Sequence, residues 1–264
     1  MGEAKRRQNG VGRCIYCGAT SGLSREHVLP YGLGGDLVLN GASCGTCSTE
    51  TSRFELRLLR GHWWPYRLCL GLPSRRSGEQ VPDLPVKVKR QDGTEWQAYI
   101  PMASQTIAMA FVFDPPSILS GVVRTEAPSA RVSIRTLGMQ PSAVWIDGVE
   151  TSLKPDEMIE IPVNLDAANM CRFLAKVAHG YAISRRGLSA CREYFLPEIV
   201  LGKTDGAQTY VGSANSPFLG ERLPGDSLHA WMESTNGEFL TVYIQLFRTR
   251  GGSDPIYEIV VGRL

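Results

Sequence analysis

Two Cys-x-x-Cys pairs, Cys14/Cys17 and Cys44/Cys47, stand with 26 residues between them. A pair at that spacing turns two thiolates toward one point, and two pairs complete a tetrahedral four-sulfur set, which suits zinc. A closed S4 site leaves no open position, so the Zn²⁺ expected here is structural. In zinc-finger peptides such binding is worth roughly 10–16 kcal/mol of apparent folding energy at neutral pH. A hairpin and one helix could not otherwise bury enough apolar area to hold their shape. The remaining cysteines, Cys69, Cys171 and Cys191, lie in apolar or helical contexts and read as buried thiols, and an odd total of 7 argues against a disulfide framework. Between the two pairs stand Glu26-His27 and, further on, Asn40. Taken alone, Glu-His is a common dipeptide whose plain reading is a surface acid beside a satisfied histidine. Here it falls on a predicted strand bracketed by the zinc ligands. Adjacent strand residues point to opposite faces, but at a strand end or twist the two can flank one site.

The elements that must place these residues follow from pattern. Residues 1–12 form a basic, flexible arm. Leu23–Pro30 reads as a short strand stopped by Pro30, residues 31–36 as a glycine-rich turn, and Val38-Leu39 as a return strand. From Thr46 to Leu70 apolar residues recur at helical spacing, with Gly61 and Pro65 kinking or ending the first helix. The order is therefore strand, strand, helix. Residues 71–85, rich in Pro and Ser, read as a linker. Beyond it, strands are predicted near 86–89, 95–101, 107–113, 130–136 and 143–147, and a helix over 166–187 with Asn164 or Asp166 as its cap and Gly187 as its stop. Two more strands are predicted at 239–246 and 257–261.

Together these residues resemble a known family. Cys14-Ile15-Tyr16-Cys17-Gly18, Glu26-His27-Val28-Leu29-Pro30, Leu33-Gly34-Gly35, Leu39-Asn40 and Ala42-Ser43-Cys44 with Cys47 look like the HNH endonucleases of the ββα-metal fold, in their four-cysteine zinc subclass. The resemblance covers roughly residues 13–60. It implies an HNH nuclease module over 13–70; the strand and helix pattern after the linker reads by itself as an α+β domain over 86–264 of undefined role. It further implies that Glu26 ligates a catalytic Mg²⁺ or Mn²⁺, that His27 is the general base, and that Asn40 orients the imidazole. Hard oxygen ligands suit Mg²⁺, and an imidazole with an ordinary pKa of about 6.5 is a usable base at neutral pH. The expected products carry 5′-phosphate and 3′-hydroxyl ends. The family usually places Asn or His directly after the last cysteine as a second ligand to the catalytic metal, and this chain has Ser48. Glu55 shares that helical face but would sit about 10 Å further along the axis. Ser48 is therefore the expected substitute.

The charge distribution suggests a polyanionic partner or a solvated basic surface, and composition alone favours neither. Residues 1–76 carry eleven Lys and Arg against five Asp and Glu, while the other 188 carry seventeen against twenty-one. Lys5, Arg6 and Arg7 in the arm and Arg53, Arg57 and Arg60 on the helix could neutralise phosphates beside the cut. For the helical set, a solvated face is an equal alternative. The aromatic run His62-Trp63-Trp64-Pro65-Tyr66 reads as a plug docking the first helix on the second half, and His179 and His229 as structural. The partner is expected to be nucleic acid, DNA by resemblance, and the location cytoplasmic, since no apolar run is long enough for a membrane span. A nucleic-acid-binding module without cleavage is the competing reading.

Overall fold

The computed structural model describes residues 10–74, 78, 80, 83–102, 107–136, 143–161, 166–214, 223, 227–248 and 255–264. Within them the fold is α+β. The arm residues Lys5, Arg6 and Arg7 lie outside the described residues.

The first Cys-x-x-Cys turn leads into β1 (Leu23–His27), which pairs antiparallel with β2 (Val38–Cys44). The ladder aligns Leu23 with Cys44, Glu26 with Leu39 and His27 with Val38, and its register shifts between Ser24 and Glu26. β1 stops at His27, short of the expected Pro30. The turn between the strands includes a 3₁₀ segment at Tyr31–Leu33 closed by Gly34 in the left-handed region (φ 81°). A Cβ on Gly35 would stand 2.0 Å from the Leu29 carbonyl oxygen, so only glycine lets the turn close. β2 runs straight into α1 (Gly45–Arg60), so Cys47 occupies the helix's first turn. Gly61 caps α1, its N–H donating to Arg57 O at 2.9 Å, and a Cβ there would stand 2.6 Å from that same oxygen, so the cap requires glycine. The short α2 (Trp64–Cys69) follows.

The rest of the chain builds two larger sheets and a central helix. β3 (Asp83–Arg90), β4 (Glu95–Pro101), β7 (Ala143–Ile146), β8 (Val149–Ser152) and β9 (Glu157–Glu160) form one sheet in the order β8-β7-β4-β3-β9. β5 (Ile107–Val112) and β6 (Arg131–Thr136) pair separately. The other sheet runs β10 (Glu193–Tyr194), β14 (Ile256–Arg263), β13 (Phe239–Gln245), β12 (Ala230–Asn236), with β11 (Val211–Ser213) also on β14. β3 opens at Asp83, within the stretch read as linker.

α3 (Ala167–Arg186) lies at the centre, packed against α1, against the short α4 (Leu196–Val200) and against β13 and β14. Asp166 caps it, accepting from the Asn169 backbone N–H at 3.1 Å, and Gly187 (φ 79°) ends it. Met170, Phe173, Leu174, Val177, Ala178 and Ala182 are all buried, so the helix is apolar around most of its circumference, as a core helix must be. Its core is continuous with that of the N-terminal hairpin and α1: Ile15, Tyr16, Val28, Leu33, Phe54 and Leu58 join Phe173, Leu174, Leu240 and Ile259 in one cluster. Trp63 sets its ring against Phe173 (4.8 Å) and Phe247 (5.7 Å), so the aromatic run does dock the module on the second half. A smaller core under β3, β4 and β7 gathers Val86, Val88, Ala98, Ile100 and Val144. Among the described residues no helix is long and apolar enough to cross a membrane.

Candidate functional site

The sulfurs of Cys14, Cys17, Cys44 and Cys47 all lie within 4.8 Å of one another. Cys17 and Cys44, from different knuckles, approach to 3.6 Å. A tetrahedral site with Zn–S bonds of about 2.3 Å requires sulfurs about 3.8 Å apart, so the set fits zinc. Backbone shapes it: the Cys14 N–H donates to Ala19 O (2.7 Å), the Gly18 N–H to Cys14 O (2.9 Å), and the Ile15 N–H to Ala42 O (2.8 Å), tying the first knuckle to β2. The Cys47 N–H holds the Cys44 thiol down at about 7, while burial pushes the Cys47 thiol up. Loading zinc therefore displaces protons and strengthens with pH through neutrality. No other group of three or more His, Cys, Asp or Glu among the described residues could hold a metal ion.

The hairpin's pleat sorts the other candidates. His27 lies opposite Val38, so Asn40, two residues on from Val38, shares the face of His27. That face is open: His27 is half-buried and Asn40 exposed. Glu26 lies opposite Leu39 on the other face, where both are buried. The two members of the dipeptide therefore look in opposite directions.

On its buried side Glu26 meets a cation from far along the chain. The Lys176 ammonium on α3, 1% exposed, is 3.0 Å from Glu26 Oε1 and 2.6 Å from Glu55 Oε1. It also donates to the carbonyl oxygen of His27, with Val28 O at 3.4 Å. Burial works against the ammonium, but Glu55 and Glu26 outweigh it and raise the Lys176 pKa. Two carboxylates share one cation, and burial pushes Glu55 above the usual carboxylate range against the pull of Lys176. The buried Tyr16 hydroxyl stands nearby, its pKa raised by burial and then by the charges of Glu26 and Glu55.

As placed, Glu26 does not fit the divalent ion that the resemblance implies. Glu26 is 5% exposed and already paired with an ammonium, whereas Mg²⁺ keeps several waters. Ser48 sits half-buried in the first turn of α1, where its carbonyl accepts from the Thr51 hydroxyl at 3.2 Å. The α1 residue that the fold brings to Glu26, through Lys176, is Glu55. Sequence reasoning set Glu55 aside by its distance along the axis and, although the stretch from Phe173 to Ala182 also resembles proteins bearing this module, gave Lys176 no role. A signal existed: Lys176 interrupts the apolar run from Phe173 to Ala178, and a charge inside a core helix demands partners.

The arginines of α1, Arg53, Arg57 and Arg60, are exposed, and Arg53 pairs with Glu50. Arg13 and Arg25, beside the knuckle and on β1, are exposed as well. His179 and His229 are buried structural groups. His179 Nε2 donates to Ile15 O at 2.8 Å; His229 Nε2 donates to Leu33 O at 3.0 Å, and its Nδ1 accepts from the Phe247 N–H. Burial lowers both to about 4, so both are neutral. No protein-family model, no curated protein and no solved structure matches this chain.

Proposed function

We propose that the chain is a zinc-stapled endonuclease of HNH type that hydrolyses phosphodiester bonds of nucleic acid, DNA by preference, with His27 as general base. The observation that carries this reading is the placement of His27 and Asn40 on the same open face of a hairpin whose far end meets a four-cysteine cluster. His27 takes a proton from water; the water oxygen bonds to phosphorus as the bond to the 3′ oxygen breaks; the departing oxygen is protonated by solvent. Asn40 holds the imidazole in the orientation and tautomer that accepts. Exposed Arg13, Arg25, Arg57 and Arg60 supply positive charge for flanking phosphates. No step is assigned to a divalent ion, and its contribution belongs to the test.

One observation favours a second reading, a zinc-stapled nucleic-acid-binding module without cleavage. Glu26 is already neutralised by Lys176, and Ser48 offers only a hydroxyl. Nicking of supercoiled plasmid by wild type and His27→Ala, with Mg²⁺, with Mn²⁺ and with neither, separates the two. Cutting by wild type alone supports the nuclease. Equal cutting by both proteins, or none by either, rejects it. Gel shifts that weaken steeply with salt, without cutting, select the binding module.

A further inference from the structure

We infer that Lys176 is the positioning residue of this site, holding in place the strand end that carries His27. The activity arm of the inference rests on the nuclease reading; the structural arm does not. An ammonium has three donors and no acceptor. Those of Lys176 are drawn to Glu26 on β1, Glu55 on α1 and the carbonyl of His27 itself, so three elements meet at one atom. β1 ends at His27, and the peptide that follows is anchored from α3. The same face of α3 fixes the approach twice more. One turn on, His179 donates to Ile15 O in the first knuckle. Beside it, Gly180 lets the helix come so close that a Cβ would stand 3.2 Å from Val28 Cγ2. The imidazole's backbone is thereby set against both the zinc knuckle and α1 by a side chain that faces away from the substrate side of the hairpin.

Lys176→Met alone strands two buried carboxylates, so the informative variant is Lys176→Met/Glu55→Gln, which keeps the net charge of the cluster. The full-length protein is loaded with zinc, and plasmid nicking is measured alongside ¹⁵N-histidine NMR, with His27 assigned by its loss in His27→Ala. The expected result is unchanged zinc content, KM within about threefold and kcat down by about 100-fold, the scale of a misplaced reacting group. The His27 signal broadens or splits while those of His62 and His229 stay sharp. Lys176→Arg, which retains the charge but carries its donors on a planar fork, is expected to show the same split in smaller measure. A folded double variant with wild-type kcat, or a His27 signal that superimposes on wild type, overturns the inference. If wild type itself does not nick, the nuclease reading falls, and the histidine spectra alone decide the role of Lys176.

Discussion

At the scale of single residues, the pleat of one hairpin separates two neighbours that sequence alone would place together. Glu26 and His27 are adjacent, yet one faces a buried ammonium and the other solvent. His27 was singled out by its place between the two Cys-x-x-Cys pairs and by the family resemblance of the residues around it. The counter-ion of Glu26 was not, since Lys176 is 150 residues away and only the fold brings them together. Replacing His27 by Ala should lower the nicking rate by at least about 100-fold while zinc content is unchanged, because a general base contributes about 10²–10⁴-fold. Removing the cation is a stability matter first. Lys176→Met should cost roughly 3–5 kcal/mol in urea unfolding, since one partner leaves and the buried carboxylates remain. A cost below about 1 kcal/mol, the scale of an exposed pair, would show that the cluster is wetter than its burial implies.

At the scale of elements, the strand–strand–helix order and the caps of α3 were readable from local signals. Pro30, the glycine-rich turn, Asp166 and Gly187 each act within a few residues, and the structure uses each of them close to where it was expected. What local signals missed were β8 to β12: β8 is exposed throughout, β10 and β11 span only 2 and 3 residues, and β12 is part-buried along most of its length, so none of these shows a clear alternation. The four-cysteine cluster backs the hairpin, since β1 has β2 as its partner strand and backbone bonds of the first Cys-x-x-Cys turn reach directly into β2. Stripping zinc with a chelator should loosen β1, β2 and the start of α1, seen as rapid amide exchange there, while β13 and β14 stay protected. Protection unchanged across Cys14–Cys47 would remove the metal from the account of the fold.

At the scale of the whole molecule, the division expected at 71–85 does not divide the core. Apolar side chains of the zinc module and of α3, β13 and β14 form one cluster, and Lys176, His179 and His229 reach from the second half to carbonyls of the first. A fragment of residues 13–70 should therefore stay without cooperative unfolding even with zinc. The buried histidines also set a pH dependence. Their folded pKa values, about 4, lie below the ordinary 6.5, so the folded state binds fewer protons than the unfolded one. Their contribution is complete above the unfolded value and is lost as pH falls toward 4, by roughly 3 kcal/mol each at the limit. His229→Gln should be less stable than wild type at pH 7 and should show a shallower loss between pH 6.5 and 4.5 in urea titrations. An equal slope would mean that His229 titrates normally in the fold.

On the proposed reading this hairpin presents an imidazole to a scissile phosphodiester, and that chemistry fixes the ends of the products. Wild type acting on an end-labelled DNA duplex should leave 5′-phosphate and 3′-hydroxyl termini that a ligase reseals, and His27→Ala should leave the duplex whole. Ends of the opposite polarity, or the same fragments from both proteins, would contradict it.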